Sequence, residues 1–172
     1  MLKVKCKRCA LGEHRTRIVI GRGKTPADIL MLGEAPGRAE DIIGEPFIGG
    51  SGKLLDLIIK KSYLHEYSIY FTNIVLCRAW DWRKSSNFWD ESRPPMSAEV
   101  LACMPNLTKI IQAVKPKLTI FIGKIAQRYY RRDLKPNAVM LHPEFLLRTG
   151  GDCSPYYGTT ILTLNEAVKR WL

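Results

Sequence analysis

Cys6 and Cys9 form a C-x2-C, and Cys77 and Cys103 stand far downstream. Such a turn can present two thiolates to one metal, and two distant cysteines complete a ligand set for tetrahedral zinc or for an iron–sulfur cluster. Spacing alone leaves both open, together with simple burial of Cys77 and Cys103. Cys153, among Gly, Asp, Ser and Pro, reads as a spare thiol. A second concentration of chemistry is the stretch GEAPGRAED, Gly33 to Asp41, with Glu34, Glu40 and Asp41 crowded around a Pro-Gly turn. The chain carries 27 Lys and Arg against 16 Asp and Glu, a formal net charge of +11. A loop that only reverses direction in so basic a protein does not need three carboxylates.

Other candidates are single residues. His142 is one of three histidines and sits between an apolar run and a proline; both a structural and a catalytic role fit it. Asn73, in FTNIVLC, is either a turn-former or a buried carboxamide, which needs partners that a base edge would supply. GEPFIGGSGKLL offers a Gly-rich turn opening a helix, whose free N–H groups suit a phosphate, and Phe47 in it is either core or a platform for a base. HPEFLLR sets Phe145, Leu146 and Leu147 beside Arg148, a basic-flanked wedge or the start of a helix. GRGKT is not a phosphate loop, because G-x-x-x-x-G-K-[ST] would need glycine where the chain has Ile18.

The elements that must position these residues are legible as periodicities. Apolar runs of strand length recur at 29–32, 69–72, 118–122 and 139–141. Helical spacing separates them: Leu54, Leu55, Ile58 and Ile59 after a Ser51 cap, then Val100 to Ile111 after a Ser97 cap. Shorter helices are expected at 124–131 and 165–172. The alternation predicts an α/β three-layer sandwich, a central four-stranded parallel sheet flanked by helices, in a single domain over 1–172. Ligands of such sheets bind beyond the carboxyl ends of the strands. Gly33-Glu34, Asn73, Gly123 and His142-Pro143 all stand at those ends.

Net charge of this sign and size points to a polyanionic partner. No run approaches the length of a membrane span, and the basic N-terminus lacks the apolar run of a signal peptide, so a reducing cytoplasmic setting without a membrane partner is expected. Five cysteines there argue for metal ligation or burial rather than disulfides.

Taken in order from Cys6 to Arg148, these stretches resemble the family-4 uracil-DNA glycosylases, the iron–sulfur branch of that superfamily. The carrying motifs are the C-x2-C, GEAPGRAED, GEPFIGGSGKLLD, TNIVLC, the helix with Cys103, KPKLTIFIGKIA and HPEFLLR. The resemblance implies a monomeric repair enzyme that hydrolyses the glycosidic bond of deoxyuridine in DNA, releasing uracil. It implies catalytic work for Glu34, Glu40 and His142, with Asp41 supporting the turn. Gly33, Ala35, Phe47 and Asn73 would bind the base, and Gly50, Ser51, Gly52, Phe145, Leu146 and Arg148 the DNA. Cys6, Cys9, Cys77 and Cys103 would ligate a [4Fe–4S] cluster, zinc being the alternative.

The resemblance also answers the carboxylates: positive charge spread over the chain holds DNA, while local negative charge serves a cation forming at the sugar. Two departures are expected to matter. The 25 residues between Cys77 and Cys103 carry an extended loop at about 78–96, with Trp80, Trp82, Phe88 and Trp89 beside Arg78, Arg83 and Lys84. It reads as an aromatic-basic arm for single-stranded DNA or as a loop packing its own aromatics. The segment 131–139 is shorter than in the family. The competing reading is a catalytically weak relative that binds DNA or a protein, or a glycosylase for another base; a replication or repair partner is not specified by the sequence.

Overall fold

The computed structural model describes residues 5–81, 92–130, 134 and 136–172. Its centre is a sheet of four parallel strands: β1 (Ile29–Gly33), β2 (Ile69–Asn73), β3 (Leu118–Ile122) and β4 (Asn137–Met140), in the order β2-β1-β3-β4. The helices are α1 (Leu11–His14), α2 (Arg38–Ile43), α3 (Gly50–Lys61), α4 (Ser97–Val114), α5 (Lys124–Tyr130), α6 (Pro143–Arg148) and α7 (Tyr157–Trp171).

β1 and β3 lie inside the sheet and are buried along their whole lengths, which is why they read as unbroken apolar runs. Their side chains alternate between two cores. Ile29 and Met31 face one side with Leu118, Ile120 and Ile122, against Leu54, Leu55 and Ile58 of α3 and Leu164 and Val168 of α7. Leu30, Leu32 and Phe121 face the other, against Val100, Leu107 and Ile110 of α4 and Ala126 and Tyr130 of α5. The period of two along the strand thus builds the expected three layers. Among the described residues, no helix is long and apolar enough to cross a membrane.

Several boundaries differ from the sequence expectation. β4 begins at Asn137 and ends at Met140, so Leu141 lies outside it. α7 begins at Tyr157, eight residues before the expected start at 165, because Tyr157, Thr160 and Leu164 continue its buried stripe. Ser51 and Ser97 are not caps. Gly49 precedes α3 with no side-chain cap. Met96 precedes α4, where Glu99 turns back to accept from Met96 N at 2.7 Å and pairs with Arg93 at 2.6 and 2.9 Å. HPEFLLR does begin a helix, α6, with His142 as its cap. The base of the extended loop is paired: Trp80 bridges Ser92, and Arg93 N donates to Ala79 O at 2.8 Å. Trp82, Arg83, Lys84, Phe88 and Trp89 lie outside the described residues.

One contact fixes how α3 meets the sheet. Gly52 is buried in the first turn of α3, and a Cβ there would fall inside the Phe47 carbonyl group. Phe47 is the backbone that has to yield. Gly52→Ala is therefore expected to destabilise the fold by about 1–3 kcal/mol, the usual range for overpacking. Urea unfolding checks this, and a wild-type midpoint for the variant would show that the Phe47 turn is not held against α3.

Candidate active site

Four strands in parallel bring their carboxyl ends to one edge of the sheet, and the chemistry collects there. Gly33 ends β1 and pairs in register with Asn73, which ends β2. The approach is close: a Cβ on Gly33 would stand 2.5 Å from Asn73 Oδ1 and 2.5 Å from Phe47 Cζ. Only glycine lets the carboxamide and the ring meet over the end of the central strand. Asn73 is 2% exposed, and its side chain makes no hydrogen bond to another described residue. Phe47 is nearly buried and adopts a left-handed backbone, φ 56°. A bulky residue there is strained by about 1–3 kcal/mol, so the surroundings must hold it.

Glu40 supplies that hold. Its Oε1 accepts from both Ile48 N and Gly49 N at 3.1 Å, gripping the turn that carries Phe47. Asp41, on the same short helix, is 4% exposed and accepts from Thr16 N at 3.1 and 3.0 Å and from Arg17 N at 3.4 Å. Glu34 differs from both. It follows β1 directly, is partly buried, and its carboxylate has no hydrogen-bond or ion-pair partner among the described residues. Burial raises its pKa above the ordinary 4.5. Ala35 beside it packs against apolar neighbours on the α4 side.

His142 follows β4 by two residues. Gly123, left-handed at φ 84°, directly follows the neighbouring strand β3, and a Cβ there would meet His142 Cδ2 at 3.3 Å. Glu144 N donates to His142 Nδ1 at 3.2 Å. Burial lowers the imidazole pKa below 6.5, with Glu144 opposing and Arg148 assisting. A neutral ring whose Nδ1 accepts must carry its proton on Nε2. The hydrogen bond therefore selects the tautomer and leaves Nε2–H as a donor.

The flanking residues divide by exposure. Gly50 and Ser51 open α3 at the surface, and Ser51 Oγ donates to Glu144 Oε2 at 2.5 Å, joining α3 to α6. Gly52 is buried in packing. Phe145 is 42% exposed and Arg148 is exposed. Leu146 is fully buried in the core, so it cannot serve as a surface contact. Its neighbour Leu147, absent from the expected set, is 39% exposed and lies 3.7 Å from where a Gly50 Cβ would be. Leu146 and Leu147 are one helical step apart, and only the phase of α6 tells them apart.

The four predicted cysteines come together at one wall, where Cys77 and Cys9 share an apolar cluster with Ala35. Cys6, Cys9, Cys77 and Cys103 line one pocket with Arg15, Leu76 and Asn106. Among the described residues, no three His, Cys, Asp or Glu side chains gather closely enough to hold a single metal ion. Three of the thiols receive N–H donors: Arg15 Nη1 to Cys77 at 3.4 Å, Leu76 N to Cys103 at 3.4 Å, and Asn106 Nδ2 to Cys6 at 3.5 Å. Burial pushes the Cys77 thiol up and the Cys103 thiol to about 12. Cys153 is exposed and apart.

Comparison with known proteins falls on this same frame. The model of the Uracil DNA glycosylase superfamily matches residues 20–163. The chain is 37% identical over 126 residues to the Type-4 uracil-DNA glycosylase of Saccharolobus solfataricus, 73% of this chain and 54% of that one. It is 36% identical over 127 residues to the Type-4 enzyme of Sulfurisphaera tokodaii, 73% and 53% of the two chains. With that of Thermotoga maritima it shares 31% over 126 residues, 73% and 60%. The chain thus spans about half the length of the curated relatives it matches. The matched span runs from before β1 into α7, and so contains the whole sheet and every strand end described above: the chain belongs to the Uracil DNA glycosylase superfamily.

Proposed function

We propose that the chain is a uracil-DNA glycosylase, hydrolysing the N-glycosidic bond of deoxyuridine in DNA to release uracil and leave an abasic site. The observation that supports this is that Glu34, Asn73 and His142 all stand just beyond the carboxyl ends of one parallel sheet, with the Phe47 ring against Gly33 at the end of β1.

A base inside a duplex is out of reach, so the substrate nucleotide is extruded. The Phe47 ring offers the flat apolar face on which a base stacks. Asn73 carries a donor and an acceptor on one carboxamide, which matches the O4/N3–H edge of uracil and mismatches the amino group of cytosine. As the glycosidic bond lengthens, negative charge builds on the base and positive charge on the sugar. Neutral His142 donates from Nε2 toward the uracil O2, and because the donor is fixed beforehand it needs no rearrangement as charge develops. Glu34, uncommitted and half-buried, acts on the oxocarbenium-like sugar and orients the attacking water; its field is stronger there than at the open surface. Glu40 acts at one remove, through the turn that holds Phe47.

Gly50, Ser51, Phe145, Leu147 and Arg148 form the rim that DNA would meet, with the net positive charge favouring the phosphates. For the cysteine pocket, an all-thiol donor set with N–H donors on three sulfurs fits an iron–sulfur group. Four thiols on one wall are the usual donor set of a [4Fe–4S] cluster, with one zinc as the alternative. Cys6, Cys9, Cys77 and Cys103 would hold it. Bound there, it would supply a cross-link between the N-terminal turn, the chain after β2, and α4. Such a group and five free cysteines suit a reducing, cytoplasmic setting.

A labelled oligonucleotide with one deoxyuridine, treated with alkali after incubation, tests the reading. Cleavage at that position is expected, reduced roughly 10²–10³-fold in His142→Ala, the loss typical of one preorganised donor, and at least as much in Glu34→Gln. Folded protein that binds the DNA without cleaving it would sink the activity.

The acid side of the pH profile follows from the shifts. Glu34, raised above 4.5, works as the anion and is lost as pH falls through its folded value. His142, depressed below 6.5, works as the neutral ring and is lost as it gains a proton below that pH. The acid limb is therefore the sum of two losses, and the one that belongs to His142, isolated in single-turnover rates of Glu34→Gln, should lie below pH 6.5. A limb above pH 6.5 in that variant would contradict a neutral His142.

A further inference from the structure

Segment 15–17 joins the cysteine pocket to the carboxylate helix. Arg15 ends α1, donating its backbone N–H to Leu11 O at 3.1 Å. Its guanidinium is wedged in the pocket wall: Nη1 donates to Cys77 Sγ at 3.4 Å, and a Cβ on Gly12 would stand 2.9 Å from that same nitrogen and 2.8 Å from Cys6 O. The next two residues turn their amides the opposite way, Thr16 N and Arg17 N both reaching the Asp41 carboxylate. From the preceding residue of α2, Glu40 grips Ile48 and Gly49, next to Phe47.

α2 has six residues and no side-chain cap at its N-terminus. A helix that short does not hold itself in place, so what its side chains bind, the two carboxylates among them, sets its position. A buried carboxylate deprived of its N–H donors is left with an uncompensated desolvation penalty. Asp41 therefore requires residues 16 and 17 to stay where they are, and Arg15 anchors them to the wall that bears Cys77. The contacts run without a break from Cys77 through Arg15, Thr16, Arg17, Asp41 and Glu40 to the Phe47 turn.

We propose that Arg15 is a positioning residue that ties the metal-binding cysteine pocket to the base-binding turn, so that assembly of the pocket steadies Phe47. The guanidinium beside a metal-bound thiolate is a charge-assisted donor, stronger than one beside a neutral thiol. Loss of that grip frees segment 15–17, then α2, then the turn. The effect on turnover rests on the glycosylase reading; the mechanical coupling does not.

The test compares metal-loaded wild type, Arg15→Met and Arg15→Lys. Three quantities are read: the rate at which a ferrous chelator removes the visible absorption, amide hydrogen exchange at Ile48 and Gly49, and kcat and KM for uracil release. Arg15→Met should lose its colour roughly tenfold faster, as removal of a residue supporting a metal ligand commonly does. Its Ile48 and Gly49 amides should exchange faster, and kcat should fall with little change in KM. Arg15→Lys, which keeps the charge and one donor, should recover most of the colour retention and protection. Wild-type exchange at Ile48 and Gly49 in Arg15→Met overturns the coupling even if colour is lost sooner, and a colourless wild type overturns it at once. If Arg15→Met does not fold, stripping wild type with the chelator decides the matter: protection at the two amides must drop, and unchanged protection refutes the tie. Absence of uracil release by wild type would instead remove the glycosylase reading and leave the colour and exchange comparison intact.

Discussion

The missing side chain at Gly33 is the constraint on which the site depends. β1 is the strand between β2 and β3, and its last residue is where a carboxamide from one neighbour and a ring from the Gly-rich turn converge. Any Cβ there would displace Asn73, Phe47 or both. The rest of the arrangement serves that meeting. Phe47 holds a backbone angle that a bulky residue avoids, so its turn has to be gripped by Glu40 from one side and backed by Gly52 from the other. His142 reaches the same edge across a second glycine, Gly123, which directly follows β3. A parallel sheet places these residues in space, and two glycines give them room.

The three carboxylates of GEAPGRAED have three different physical fates. Asp41 is buried and bound to backbone amides of residues 16 and 17; Glu40 is half-buried and bound to amides of 48 and 49; Glu34 is half-buried and bound to nothing described. Two therefore fix the loops around the site, and the third keeps unused acceptor capacity, which is why the proposed reacting role falls to it. Chemical type was the same for all three. Hydrogen-bond partners separate a reacting carboxylate from a bracing one, and those partners lie 8 to 25 residues away in sequence.

Long periodic features were legible beforehand for that reason. Buried strands such as ILML and LTIFI announce themselves because both faces are apolar, and α4 because its buried stripe continues for several turns. The meeting of four cysteines was legible from their types, although only the fold could bring residues 6, 9, 77 and 103 to one wall. Short elements were not legible. α6 has six residues, and its phase is set by the His142-Pro143 corner, so Leu146 and Leu147 could not be told apart until the helix was placed. Ser51 and Ser97 looked like caps by residue type, but a carboxylate from α2 holds the turn before α3, and Glu99 does the same service for α4. The signal for Glu40's role was present as a carboxylate followed by a Gly-rich turn, yet nothing local says that the two touch.

The central claim is that Asn73 and His142 belong to one pocket that receives a uracil. Heteronuclear NMR of their side-chain nitrogens, with DNA carrying a non-cleavable deoxyuridine analogue, tests it most directly. At neutral pH the imidazole should be neutral with its proton on Nε2, and both the carboxamide and imidazole signals should move on adding the deoxyuridine analogue but not with a matching deoxycytidine DNA. An imidazolium at neutral pH, or two signals that respond alike to both DNAs, would contradict the account.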